Sequence, residues 1–286
     1  MRGRYFMIGK GGVGKTTCSA ALSLKLSEKF RTLVVSIDPA HNLGDVLGLK
    51  LDDRPKEVLG NLWAVEVNID NVVREYLNEM VSNLKKIYKY IEVINLDRYF
   101  DVLKYSPGVE EYAILKALST YIRSDYDAVV FDTPPTGLTL RVLSLPNVTS
   151  VWLEKLIELR KAILDRRRTI ESISGKNYDL PSREEEDGVM KELLKMKEDT
   201  DWLKEKIIES RIFGVVNPDE LSYLEMMRAK KTLEELGLKL HALIVNRVEG
   251  DVNLEKFREL CDRVYVVGKT EKTGLERLKI IAESLP

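Results

Sequence analysis

A glycine-rich loop between an apolar run and an amphipathic stretch constrains this chain more than any other feature of its sequence. Residues 9–17, GKGGVGKTT, fit the pattern G-x-x-x-x-G-K-[ST]. They follow an apolar run at 5–8 and precede apolar positions at helical spacing over 16–29. Glycines let the backbone turn tightly, so that successive N–H groups converge on an anion at the start of a helix. The pattern therefore predicts a strand, a phosphate-binding loop and a helix.

The residue types in this loop predict how it would hold a nucleotide. Lys15 would place its ammonium group against the β- and γ-phosphates, and the hydroxyl of Thr16 would ligate Mg²⁺. The predicted cofactor-binding residues of the loop are Gly11, Gly12, Val13, Gly14, Lys15, Thr16 and Thr17. The alternative is a glycine turn that binds nothing, and the strand before the loop and the helix after it argue against that alternative.

Lys10 is a second cation in the same loop, and the general pattern does not require it. Two cations buried side by side are unfavourable without a compensating anion. One solution is that Lys10 serves a nucleotide held by a second subunit, as an arginine finger does in trans, which predicts a homodimer. The alternative is a solvated lysine.

Further apolar runs predict a mostly parallel sheet, because strands covered on both faces are nearly all apolar. The runs lie at 32–37, 128–131, 212–216, 242–245 and 264–267. They are separated by helical patterns, so we predict an α/β fold of the P-loop NTPase type, with helices flanking the sheet. We expect residues 1–286 to form a single P-loop ATPase domain. An inserted helical subdomain is predicted to be formed by about 70–123 and 150–210, where apolar stripes recur at helical spacing.

Charge, hydropathy and cysteine content exclude several classes of protein. The 45 basic residues balance 46 acidic ones, which gives no support to a nucleic-acid partner. No run approaches the roughly 18 apolar residues of a membrane span, so no integral membrane segment is expected. The two cysteines, Cys18 and Cys261, cannot form a four-thiolate zinc site or a disulfide framework. A cytoplasmic protein fits this composition best.

Three motifs resemble those of one family of ATPases. Residues 10–17, KGGVGKTT, resemble the deviant Walker A loop of dimeric ATPases that include the nitrogenase iron proteins, the Min and Par ATPases and the arsenite-pump ATPases. Residues 38–45, DPAHNLGD, are similar to switch I of the arsenite-pump ATPases and the Get3 targeting factors, and residues 131–146 are similar to their switch II. The resemblance covers most of the chain and is loosest over 60–105 and 150–210.

The resemblance implies that Asp45 is catalytic and positions the attacking water, a role that hydrolysis of the γ-phosphoryl group requires. The alternative is that Asp45 caps a short helix. Asp38 and Asp132 each follow an apolar run, and with Thr16 they would form the metal site. For Asp132 the alternative is an Asx turn before Pro134.

The resemblance also implies which residues would contact the adenine base and which would lie near the nucleotide of the dimer. Asn246 follows the run at 242–245 and would contact adenine, since an amide can donate and accept at once. Asp219 matches an acidic position near the nucleotide of the dimer. Residues 269–274 are similar to the loop that passes over the base.

The implied function is a Mg²⁺-dependent ATPase whose ATP-driven dimer and switch segments control the helical subdomain, with a protein client or a membrane-protein partner. Alternatives are a chaperone that targets tail-anchored membrane proteins and a regulatory ATPase of the Min and Par kind. Neither cysteine matches the metalloid site of the arsenite pumps, and the chain has no C-x-x-C pair. Leu138 replaces the usual histidine of switch II, and the helical subdomain has few methionines, which disfavours promiscuous apolar binding.

Overall fold

A computed structural model of the protein describes residues 3–38, 43–87, 106–175 and 183–286, with side chains described outside 80–87. Its centre is one eight-stranded sheet in the order β3-β4-β2-β5-β1-β6-β7-β8. The strands are β1 Gly3–Ile8, β2 Thr32–Ser36, β3 Lys56–Leu59, β4 Leu62–Glu66, β5 Ala128–Asp132, β6 Arg211–Val216, β7 Leu240–Val248 and β8 Val264–Gly268. Every neighbouring pair is parallel except β3 and β4. The predicted α/β class with a mostly parallel sheet is confirmed.

Helices connect the strands and cover the sheet. In the described residues they are α1 Lys15–Ser27, α2 Leu43–Leu47, α3 Ile69–Ile87, α4 Val109–Ile122, α5 Thr136–Ser174, α6 Gly188–Glu209, α7 Glu220–Glu235, α8 Glu255–Leu260 and α9 Gly274–Glu283. All residues of β2 and of β5 are buried, as expected for central strands covered on both faces. Helices α1 and α9 both contribute to the apolar core on one face, through Leu22 and Ile281 among others.

The hairpin β3–β4 was not predicted from the sequence. Strand β4 buries Leu62, Ala64 and Val65, whereas β3 is charged and exposed at Lys56 and Glu57. A tight turn with Gly60 in the left-handed region, at φ 56°, joins the two strands. Because β3 is an exposed edge strand, its charges disfavour pairing with another chain. The same charges interrupt any apolar run, so the strand could not be predicted from one.

The chain divides into two compact units, Met1–Leu143 with Glu209–Pro286 as unit 1, and Ser144–Ile208 as unit 2. This differs from the predicted helical subdomain, because α3 and α4 group with the sheet in unit 1. Helix α4 precedes β5 in the chain and buries Ile114 and Leu118 in unit 1. The centre of its Tyr112 ring lies 4.3 Å from the centre of the Tyr76 ring on α3. Residues 88–105 of the predicted subdomain lie outside the described residues.

Unit 2 contains an ion pair between a buried aspartate and a half-buried arginine at the start of α6. Asp187 is 1% exposed and accepts two hydrogen bonds from the guanidinium of Arg160, at 2.9 and 2.6 Å. The same carboxylate caps α6 by accepting from the backbone N–H of Met190 at 2.7 Å. The hydrogen bonds from Arg160 lower the pKa of Asp187 below its ordinary value. One carboxylate therefore joins the two long helices of this unit.

Changing Asp187 to alanine should destabilise unit 2 by about 2 kcal/mol, since the change leaves the half-buried Arg160 without its partner and removes a helix cap. Hydrogen exchange of peptides from α5 and α6 measures the effect, and Asp165→Ala is the control, because its pair with Arg168 spans 3.8 Å between exposed side chains. The stabilisation should be full above the unfolded carboxyl pKa of about 4 and be lost as the pH falls through the lower folded pKa. Equal exchange in the two variants would contradict the prediction.

Within the described residues, no helix combines the length and the apolar character needed to span a membrane.

Candidate nucleotide site

The glycine loop lies between β1 and α1, where the sequence predicts it. Gly14 has a left-handed φ of 95° and directly precedes α1, which begins at Lys15. A Cβ at Gly14 would collide with the side-chain amide of Asn246, and a Cβ at Gly9 would collide with the carbonyl oxygen of Val215. The loop therefore runs directly against the carboxyl ends of β6 and β7, and these two positions have no room for a side chain.

Lys15 is buried beneath the loop, with 6% of its surface exposed. Its Nζ donates to the carbonyl oxygens of Gly9 at 3.1 Å and of Lys10 at 3.4 Å. Burial lowers the pKa of Lys15, and the negative charges of Asp132, Asp38 and Glu225 oppose that shift. The ammonium group thus lies at the loop with backbone carbonyls as partners, and phosphate oxygens would be stronger acceptors for it.

Asp132 is fully buried at the end of β5. Its carboxylate accepts hydrogen bonds from Ser19 Oγ and Ser36 Oγ, each at 3.4 Å, and from the hydroxyl of Thr16. Burial raises the pKa of Asp132 to about 7, with the charge of Asp38 acting in the same direction and Lys15 opposing it. The hydroxyl partners lie on α1 and β2, so the carboxylate faces the loop.

The three predicted metal ligands lie together, since Thr16 bonds to Asp132 and the charge of Asp38 reaches the same carboxylate. Hydroxyl and carboxylate oxygens suit a hard cation such as Mg²⁺. The described residues contain no cluster of three or more His, Cys, Asp or Glu side chains that could hold a metal. A Mg²⁺ ion here would therefore complete its shell with phosphate oxygens and water, as it does in most nucleotide sites.

Asp45 lies in α2, and its side chain is exposed. The helix begins at Leu43, so Asp45 lies within its first turn. Asp45 therefore does not occupy the N-cap position, which was the alternative to a catalytic role. Leu43 and Leu47 are buried and attach α2 to the core of unit 1. Residues 39–42 of the DPAHNLGD motif lie outside the described residues.

Asn246 is buried within β7 and contacts the glycine loop directly. Its Nδ2 donates to the carbonyl oxygen of Val13 at 2.7 Å, a contact that the sequence did not predict. Asn246 also lines a cavity of about 310 Å³ together with Lys269, Thr270 and Arg277. The predicted base-contacting asparagine and the loop after β8 thus share one cavity, and the contact with adenine stays a prediction.

Three buried polar atoms accept or donate no hydrogen bond within the described part of the chain. They are Thr136 Oγ1, Asn217 Oδ1 and Arg277 Nε. Thr136 begins α5 after β5, Asn217 follows β6, and Arg277 lines the cavity beside Asn246. Buried polar groups are nearly always paired, so their location at the carboxyl edge of the sheet indicates where a polar ligand would bind.

Asp219 caps α7. Its Oδ1 accepts from the backbone N–H of Ser222 and its Oδ2 accepts from the Ser222 hydroxyl, both at 2.8 Å. Burial works to raise the pKa of Asp219, but the Ser222 bonds and the positive charge of Lys10 lower it overall. Lys10 and Asp219 are therefore close enough to interact within one chain, and the role of each toward a second subunit stays a prediction.

The sequence missed several residues of this site. Ser19 and Ser36, which bond to Asp132, and Glu66 at the end of β4 were not predicted. Glu66 carries the same signal as Asp132, a carboxylate at the end of an apolar run, and that signal could have found it. Cys18 lies in the core, where burial raises the pKa of its thiol to about 12, so it is neither a nucleophile nor a metal ligand at neutral pH.

Comparison with known proteins places these motifs in one family. The model of the anion-transporting ATPase family matches residues 4–284. A protein of Aquifex aeolicus named arsenical pump-driving ATPase 2 is 33% identical in an alignment of 306 positions that covers 99% of this chain and 98% of that protein.

Two further relatives have different names. An arsenical pump-driving ATPase of Chlorobaculum tepidum is 35% identical over 87% of this chain, which spans 63% of that longer protein. An ATPase ASNA1 homolog of Dictyostelium discoideum is 28% identical over 98% of this chain and 88% of its own length.

Proposed function

Because this chain belongs to the anion-transporting ATPase family, we propose that it is a Mg²⁺-dependent ATPase whose ATP-bound dimer and switch segments control its helical unit. ATP hydrolysis follows from the family. The observation that carries the finer proposal is the glycine loop itself, which has the buried Lys15 beneath it and the buried Asp132 beside it. We also propose a cytoplasmic location, because Cys18 and Cys261 are both free thiols.

Each site residue has a role in hydrolysis under this proposal. Lys15 exchanges the carbonyls of Gly9 and Lys10 for oxygens of the β- and γ-phosphates. Thr16, Asp38 and Asp132 would hold Mg²⁺, directly or through its water shell, and the bound ion would neutralise charge on the phosphates. Asp45 orients the attacking water, and Lys10 of a second subunit stabilises the charge that develops on the transferred group.

Mixing two inactive variants tests the dimer. Lys10→Ala should bind ATP through its intact loop and lose hydrolysis, and Asp45→Asn should do the same for a different reason. In a mixed dimer one site has a native Asp45 and faces a native Lys10. An equal mixture with random exchange should therefore recover about a quarter of the wild-type turnover, since half of the dimers are mixed and one of their two sites is complete.

Two measurements make the mixing experiment decisive. Light scattering of differently tagged chains shows whether mixed dimers form. Lys29→Ala is the matched control, because Lys29 is an exposed lysine after α1, far along the chain from the loop. If mixed dimers form and the mixture stays inactive, Lys10 does not act across the dimer.

A second candidate function, the binding of an apolar helix, is favoured by unit 2. Large apolar side chains on one face of α5 are 43–66% exposed: Val148, Val151, Trp152, Leu156 and Leu159. Their spacing places them on one helical face, and Ile170 and Ile173 are exposed further along. At ~1.5 Å per residue the apolar row from 148 to 159 is ~17 Å long, about half of the ~30 Å of a membrane-spanning helix, and Lys155 and Arg166 carry charge on the same face. We propose part of the membrane span of a tail-anchored protein as the occupant of this row.

Trp152, which is 66% exposed, reports on this binding. With Trp63 and Trp202 changed to phenylalanine, an apolar 20-residue peptide with charged ends should shift the Trp152 emission to shorter wavelength. Leu159→Glu should weaken peptide binding at least tenfold, because the change introduces a charge into the apolar row (~1.4 kcal/mol or more). A shift that follows protein concentration without any peptide would instead assign the row to contact between copies of this chain.

Helix α9 does not support the alternative of a regulatory ATPase of the Min and Par kind. Such a regulator would need an amphipathic helix available for a membrane surface. The apolar face of α9 is occupied, since Leu278, Ile281 and Ala282 are buried in the core of unit 1.

A further inference from the structure

Glu66, the last residue of β4, binds both ends of the segment that carries Asp45. Its Oε1 accepts a hydrogen bond from the backbone N–H of Gly44 at 2.8 Å. Its own backbone N–H donates to the carbonyl oxygen of Asp52 at 3.2 Å. A single residue on a strand therefore fixes the chain immediately before Asp45 and again seven residues after it.

The position of Glu66 in the sheet relates it to the metal-site carboxylate. Glu66 pairs with Ser36 in the register of β4 and β2, and Ser36 pairs with Asp132 in the register of β2 and β5. Paired residues of neighbouring strands point to the same face, and the Ser36 hydroxyl does bond to Asp132 on that face. Glu66 thus lies two strands from Asp132 in one row across the sheet.

Gly44 is held on two sides. Its N–H donates to Glu66, and its carbonyl oxygen accepts from the N–H of Leu49 at 3.0 Å. A Cβ at Gly44 would lie 2.7 Å from the carbonyl oxygen of Leu49, so this position has no room for a side chain. The neighbouring Leu43 and Leu47 are buried, whereas the Asp45 side chain is exposed. The backbone of this turn is fixed and its carboxylate is free to meet a ligand.

We propose that Glu66 is a positioning residue for the hydrolysis step, acting through Gly44 to set where the Asp45 carboxylate lies. The proposal rests on the role of Asp45 in the proposed function. A carboxylate that accepts from a backbone N–H forms a charge-assisted bond, which holds the donor more firmly than a neutral acceptor does. Displacement of a catalytic group by about 1 Å can cost ~100-fold in rate, so loss of this bond should affect turnover before it affects ATP binding.

The test compares Glu66→Ala and Glu66→Gln with the wild type in kcat, in the Kd for ATP and in melting temperature. Glu66→Ala should lower kcat by about 10–100-fold and change the Kd for ATP by less than about threefold. Glu66→Gln keeps an acceptor oxygen at the same reach and should recover most of the lost turnover. Glu57→Ala is the matched control, because it removes an exposed carboxylate from the adjacent strand β3.

A double variant separates the inference from the proposed function. If Glu66 acts through Asp45, then Glu66→Ala should lower the kcat of an Asp45→Asn protein no further. A wild-type kcat in Asp45→Asn would sink the proposed function itself. A normal kcat in Glu66→Ala with an inactive Asp45→Asn would overturn the inference alone. Loss of kcat and ATP affinity together, without recovery in Glu66→Gln, would also overturn it and make Glu66 a residue of the fold.

Discussion

Changing Asp45 to asparagine should leave ATP binding nearly intact and lower kcat by about 10²–10⁴-fold, the range for groups that act on a proton or a water in the transition state. The amide keeps the size of the side chain and loses the negative charge that orients the water. Asp45 is exposed in the first turn of α2 and has no part in the core, so the change should not unfold the protein. Single-turnover hydrolysis with excess enzyme measures the chemical step directly.

Asp70→Asn is the control for this experiment, since Asp70 is an exposed aspartate in the first turn of another helix, α3. The melting temperature of both variants should equal that of the wild type. If Asp45→Asn hydrolysed ATP at the rate of Asp70→Asn, the water would be oriented by another group, and Asp45 would be an ordinary surface residue.

Changing Lys15 to alanine should weaken ATP binding by about 100-fold or more, because hydrogen bonds to charged groups contribute about 1.5–3 kcal/mol each and Lys15 would make more than one. The effect has two sources. The phosphates lose a fixed cation, and the carbonyls of Gly9 and Lys10 lose the donor that holds the loop in shape before the nucleotide binds. Isothermal titration with ATP and Mg²⁺ gives the affinity.

Lys25→Ala provides the comparison for Lys15, because Lys25 lies in the same helix and pairs only at the surface, with Glu28 at 3.8 Å. Its affinity for ATP should equal that of the wild type. Tripolyphosphate adds a second comparison, since it contains the phosphates without the base. Lys15→Ala should lose affinity for tripolyphosphate and for ATP by a similar factor, and an effect on ATP alone would contradict the assigned contact.

The central strands and the glycine loop could be predicted because each has a local signature. The loop needs glycine at fixed spacing, and β2 and β5 are apolar throughout because both of their faces are covered. The hairpin β3–β4 was missed for the opposite reason, since charged residues on an edge strand give no apolar run. The periodicity predicted the helices that the structure describes as α3 and α4, but it could not show that they belong to unit 1, because an apolar face does not specify its partner.

The parts of the site that could not be predicted from the sequence are contacts between residues that lie far apart in the chain. Ser19 and Ser36 lie 113 and 96 residues from Asp132, and no spacing rule relates them. Asn246 was predicted to contact a base, and the structure shows that its Nδ2 donates to the carbonyl oxygen of Val13. The capping role of Asp219 follows from Ser222 three residues later, a local pattern that a search for helix starts would have detected.

The contact of Asn246 with Val13, across 233 residues of chain, has a consequence for protein synthesis. The phosphate-binding motif leaves the ribosome before β6 and β7 do, but the Val215 carbonyl and the Asn246 amide, which contact its loop, belong to those two strands. A nascent chain that ends before residue 211 therefore carries the entire motif and cannot hold it in its binding shape. Nucleotide affinity should consequently emerge late and abruptly during translation, once β6 has paired with β1 and β7 has paired with β6.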